Sequence, residues 1–167
     1  MERDLSTTVT VRELAECIRR DDEKLANAVY RIQNWTEEGL LTPVGDRNPG
    51  TGKHRSYPEG ALADALVLSI LTEAVGMKAV SGPLGRMFKE ITKVNLKSKI
   101  QKAAHAAPGE TFLLFGLSRP EAALPEVGLC NAKNLAGFLA ESFHETHVVI
   151  DLGKLNHDLV SKRKSDG

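Results

Sequence analysis

Cysteine is scarce in this chain of 167 residues: Cys17 and Cys130 are the only two, far apart in sequence. They form neither a disulfide framework nor a metal-ligand cluster, which points to a reducing cytoplasm. Apolar runs are short, none approaching the ~20 residues that span a bilayer, and Met1 to Thr10 shows no secretory leader. Net charge is missing too, with 22 Lys and Arg against 22 Asp and Glu, so a uniformly basic nucleic-acid binder is disfavoured. Catalytic motifs have little footing. Gly50-Thr51-Gly52-Lys53-His54 holds part of a phosphate loop without its full spacing or preceding strand, and no Ser, His and carboxylate follow an elbow motif. The expectation is no enzyme and no cofactor. Apolar residues at 41% and charged residues at 26% suffice for one core or two small ones.

The charge that is present is uneven. From Gly76 to Pro108 the cations Lys78, Arg86, Lys89, Lys93, Lys97, Lys99 and Lys102 face the single acid Glu90, while acids gather at Asp21 to Glu23, Glu37 to Glu38 and Glu121 to Glu126. Salt screens beyond about 8 Å, so nearby charges decide the field at a groove. The Lys series from Lys89 to Lys102 equally fits the wet side of a helix.

Val9, Val11, Leu14, Ala15 and Ile18 share one helical face, with Thr10 as N-cap and an end near Arg19 and Arg20. Asp21-Asp22-Glu23 supplies an acidic start that places a second helix from about Asp22. Its buried stripe is Leu25, Ala28, Val29, Ile32 and Trp35 or Thr36, which turns Asn27, Tyr30, Arg31, Gln33 and Asn34 outward. Such a face suits base edges and phosphates, and also suits plain solvation. Gly39 falls where a left-handed C-terminal cap belongs. Pro43, Pro49, Gly50 and Gly52 then exclude a helix over a loop carrying Arg47, Lys53, His54 and Arg55. Ser56 and Pro58 read as the N-cap and start of a third helix, carried by Ala61, Leu62, Ala65, Leu66, Ser69, Ile70 and Val75 to a stop at Gly76.

The order helix, turn, helix, wing, helix is how a small domain presents a helix to a DNA groove. Residues 9 to 78 resemble the N-terminal winged helix-turn-helix of the MerR family of bacterial transcription regulators. The resemblance rests on Val11-Arg12-Glu13-Leu14-Ala15, on Ile32-Gln33-Asn34-Trp35-Thr36-Glu37-Glu38-Gly39-Leu40-Leu41-Thr42-Pro43, on His54-Arg55-Ser56-Tyr57, and on Leu71 to Met77. Trp35 stands where the family has an aromatic residue, and Arg55 and Tyr57 stand where an Arg-x-Tyr pattern closes the wing. Gln33-Asn34-Trp35 replaces the usual Arg-Tyr-Tyr, and the wing is longer and richer in glycine, so the base sequence read does not carry over. The resemblance covers less than half of the chain.

Beyond Ser81-Gly82-Pro83, a helix with Leu84, Met87, Phe88, Ile91 and Val94 on one side loses phase at Asn95 and restarts at Leu96, Ile100, Ala103 and Ala104. Sustained heptads of the family's dimer coil are lacking. Thr111 to Leu117 and Thr146 to Leu152 suit buried strands, Asn131 to Phe143 has helical spacing, and a last helix over Leu152 to Val160 precedes a basic tail at Lys162 to Lys164. Two strands and a crossover helix cannot cover themselves, so this module is expected to build a homodimer. His144, His147 and His157 with Cys130 lack metal-site spacing, and no metal is expected.

The chain therefore reads as mainly α with small β elements: a winged helix-turn-helix at 1–78, a basic helical linker at 79–107 and a small α/β module at 108–167. The function expected is a dimeric, sequence-specific DNA-binding transcription regulator of the bacterial cytoplasm. Arg31, Gln33 and Asn34 would read bases beside Asn27 and Tyr30, and Arg12, Arg47, Lys53, His54 and Arg55 would hold the backbone. Tyr57 belongs to the wing among the candidate DNA contacts, and with Trp35 it fits a core brace between helix and wing better than a base-stacking residue. Two other readings stay open: an architectural or excisionase-like DNA-bending protein, and an interaction module whose strand edges recruit RNA polymerase or another protein.

Overall fold

A computed structural model describes residues 8–46, 55–77, 82, 85, 107–117, 126–142 and 146–155. These residues are mixed α and β, with two small antiparallel sheets. The chain divides into two compact units, Met1–Ser69 and Ile70–Gly167. That division falls inside a helix, ahead of the boundary the sequence suggests at 78. The basic stretch 79–107 lies almost wholly outside the described residues.

In the first unit, strand β1 (Thr8–Thr10) runs directly into helix α1 (Val11–Ile18). Thr10 caps α1 as expected. The Glu13 N–H donates to Thr10 Oγ1 at 3.2 Å, and the Glu13 carboxylate accepts the Thr10 N–H at 2.6 Å, a reciprocal capping box that satisfies two backbone donors. Leu14, Ala15 and Ile18 are buried. Val9 is also buried, but on the strand rather than the helix, opposite Tyr57 of strand β2 (Ser56–Pro58).

Strand β2 corrects the expectation that Ser56 and Pro58 start a helix. Ser56 pairs with Thr10 on one side and bridges Val44 on the other, where the Val44 N–H donates to the Ser56 carbonyl at 2.7 Å. Pro58 has no N–H to extend the ladder, and a turn at Glu59 and Gly60 separates it from helix α3 (Ala61–Val75). From Ala61 to Leu71 only Leu66 and Ile70 escape full burial, so α3 is enclosed nearly all round. It stops where expected, at Gly76, whose φ of 84° is open to glycine at no steric cost.

Helix α2 (Leu25–Glu37) starts three residues later than the acidic run suggests. Glu23 is drawn to Arg31 instead of capping the helix, and the N-cap Lys24 makes no side-chain cap bond. The far end matches expectation closely. Gly39 has φ 72°, its N–H donates to the Thr36 carbonyl at 3.0 Å, and the Leu40 N–H reaches the Trp35 carbonyl at 2.7 Å. This is a Schellman cap, and it directs Leu40 and Leu41 into the core.

In the second unit, strand β3 (Thr111–Leu117) is the middle of a three-stranded antiparallel sheet. Strand β4 (Glu126–Asn131) lies on one side and strand β5 (Thr146–Asp151) on the other. The sequence reading contained β3 and β5 but missed β4, so the expected two-stranded sheet is corrected to three. Both outer strands run antiparallel to β3, hence parallel to each other, and helix α4 (Ala132–Glu141) joins them across it. Leu113, Leu114 and Phe115 are successive and fully buried, as a central strand covered on both faces requires. Asn131 caps α4 by accepting the Asn134 N–H at 3.0 Å. Asp151 ends β5 by accepting the Gly109 N–H at 2.8 Å and the Lys154 N–H at 3.0 Å.

Candidate nucleic-acid interface

Helix α2 divides sharply into two faces. Ala28, Arg31, Ile32, Trp35 and Thr36 are buried, whereas Ala26, Asn27, Tyr30, Gln33 and Glu37 are exposed and Asn34 is half-buried. Tyr30 is 63% exposed, the most open of the large apolar side chains among the described residues. An aromatic ring left in water between two carboxamides has no role in the core.

Arg31 departs from the sequence reading, which placed it outward as a base reader. Its guanidinium is buried and spent inside the unit: Nη2 pairs with the Glu23 carboxylate at 2.5 Å and donates to the Ile18 carbonyl at 3.3 Å, while Nη1 donates to Ser69 Oγ at 3.0 Å. Five donors on a planar fork let one side chain tie the end of α1, the turn and α3 together. The guanidinium also lies 5.8 Å from the centroid of the Trp35 ring. Helical spacing alone put Arg31 at the margin of the polar face; the partner Glu23, eight residues earlier, drew it inward.

Tyr57 is a second correction. It is fully buried, not presented to DNA, and its hydroxyl lies 2.7 Å from Thr36 Oγ1. Thr36 gives its own proton to the Ile32 carbonyl at 2.8 Å, so Tyr57 is the donor in the pair. Through that bond Tyr57 braces β2 against α2, the role the sequence favours for it over base stacking, and Trp35 is buried in the same helix.

The remaining backbone-holding residues stand differently. Arg12 is exposed and forms an ion pair with Glu16 at 2.9 Å, which raises its pKa through that hydrogen bond and the adjacent charge. Arg55 is half-buried at the border of β2 and engaged within the protein. Arg47, Lys53 and His54 lie outside the described residues. Arg19, Arg20 and Lys24, none of them singled out from the sequence as contacts, are exposed around the α1–α2 turn.

Elsewhere, His147 Nε2 lies 2.8 Å from Ser142 Oγ, whereas His144 and His157 fall outside the described residues. Burial pushes the Cys130 thiol pKa up. Among the described residues, no three His, Cys, Asp or Glu side chains are placed to hold a metal, and no helix is long and apolar enough to cross a membrane. No protein-family model matches the chain, and no curated protein matches it.

Proposed function

We propose that this chain is a MerR-like winged helix-turn-helix regulator that binds duplex DNA in sequence-specific fashion as a homodimer. The observation that carries the reading is the division of α2. A short capped helix, a turn and a second helix hold a row of exposed Asn27, Tyr30 and Gln33 outward. Beside it, the Val44–Ser56 bridge closes the base of a loop that contains Arg47, Lys53 and His54. A helix of this kind enters the major groove, and a hairpin closed in this way lies along flanking phosphates.

Charge refines the expectation. Residues 8–69 hold ten carboxylates and eight cations, of which Arg31 is paired with Glu23 and Arg12 with Glu16. Few counterions are released by such a surface. Affinity should therefore fall with salt more gently than for a strongly basic binder, unless the lysines at 78–102 add contacts. In the second unit, β4 and β5 each leave one edge without a partner strand among the described residues, and Val149 on β5 is exposed. A second copy aligned along one edge would provide the dimer.

The test is fluorescence anisotropy of the full chain on a mixed-sequence labelled duplex at low salt. Binding is expected, and Tyr30→Glu with Gln33→Glu should abolish it while the fold, followed by circular dichroism, is retained. Absence of binding by the unaltered chain overturns the reading, as does full binding by the double variant.

A further inference from the structure

We infer that α2 selects adenine–thymine pairs and carries no guanine reader. This deepens the DNA-binding reading above and rests on it. The commonest contact to guanine is an Arg or Lys fork on its O6 and N7, whereas Asn and Gln carboxamides match the N6 donor and N7 acceptor of adenine. Within α2 the single arginine is Arg31, and lysine is absent. Arg31 is locked inward by Glu23, Ser69 and the Ile18 carbonyl, so it cannot reach a base without breaking the core of its own unit.

Ahead of Glu37, the exposed polar and aromatic side chains of α2 are Asn27, Tyr30 and Gln33, at steps of three residues, with Asn34 half-buried beside them. From Asn27 to Gln33 the helix rises about 9 Å, close to three base-pair steps at about 3.4 Å each. Two carboxamides thus bracket an aromatic ring over a span of three or four base pairs. The ring edge of Tyr30 is apolar and matches the C5 methyl that only thymine presents in the major groove.

Two further features fix which end of α2 enters. Glu37 and Glu38 are exposed at its C-terminal end, where carboxylates meet repulsion from phosphates. Lys24, the N-cap residue just outside α2, is exposed at the N-terminal end, where its charge and the partial positive charge of the helix dipole suit a phosphate. The N-terminal half therefore lies deepest, and the carboxylates suited to cytosine, Glu37 and Glu38, stay outside.

Selection of bound fragments from a random duplex pool by the full chain tests this. Adenine on one strand, or thymine opposite it, is expected at two or more positions of each half-site. Gln33→Ala should erase the preference at one of them, a discrimination of about 5- to 150-fold, and Gln33→Arg should change that position to guanine. Replacing thymine by deoxyuridine should weaken the unaltered chain and leave Tyr30→Ala unaffected. Enriched guanines that survive Asn27→Ala and Gln33→Ala overturn the inference, as does a retained pool without base preference. A pool from which nothing is retained overturns instead the DNA-binding reading itself.

Discussion

The two units are held together in different ways. In the first, the start of α1 and the end of α2 each have a stated device, the capping box of Thr10 and Glu13 and the Schellman turn at Gly39, while the N-cap Lys24 has none. One guanidinium then fastens α1, the turn and α3. In the second, the sheet supplies the order, and α4 has no fully buried residue; Phe138 and Leu139 are only half-covered. In the first, side-chain ties of fixed geometry specify how the helices meet, while in the second the backbone ladder fixes the strands and α4 rests on the sheet through partial, non-directional burial. The first is suited to presenting side chains to a ligand at set spacing.

Breaking the contrast starts at Arg31. Arg31→Ala leaves the Glu23 carboxylate without its partner in a mostly enclosed site and should cost about 3–5 kcal/mol. Urea unfolding followed by the fluorescence of Trp35, the single tryptophan and a reporter of the first unit alone, measures it. Arg31→Met with Glu23→Leu should recover most of the loss, since no charge is then stranded. A negligible effect of Arg31→Ala would show that the first unit does not depend on this tie.

Gly39→Ala is a smaller break. At φ 72° an alanine costs about 1–2 kcal/mol, and the same Trp35 transition should shift by that amount. An unchanged midpoint would mean that the Schellman turn is dispensable.

The smallest effect sharpens the other side of the comparison. A Cβ at Gly128 would meet the Phe138 ring at 3.0 Å. Because α4 is only half-covered, the ring can swing outward, and Gly128→Ala should cost less than about 1 kcal/mol. Amide exchange of β3 residues reads this out. A loss of protection across β3 would show that α4 is clamped as firmly as α2.

Much of this architecture was legible because it is written in local chemistry. Thr10, Gly39 and Gly76 announced helix ends, and the apolar run Thr111 to Leu117 announced a buried strand with its observed bounds. What escaped depends on pairing between distant segments. Ser56–Pro58 is a strand only because Thr8–Thr10 and Val44 lie beside it, and β4, with Gly128 and Glu126 interrupting its apolar residues, is a strand only against β3. The candidate interface shows the same limit. Asn27, Tyr30 and Gln33 stand outward as periodicity places them and Tyr57 is buried against α2 as a brace, whereas the inward turn of Arg31 required Glu23 and Ser69.

Ser56 has a consequence of its own. Thr10 and Val44 flank it on the same small sheet, so the base of the 45–55 loop and the first turn of α1 share a single rung. Whatever shifts Ser56 therefore shifts the Val44 bridge and the pairing of the Thr10 cap together, so neither contact can be altered alone.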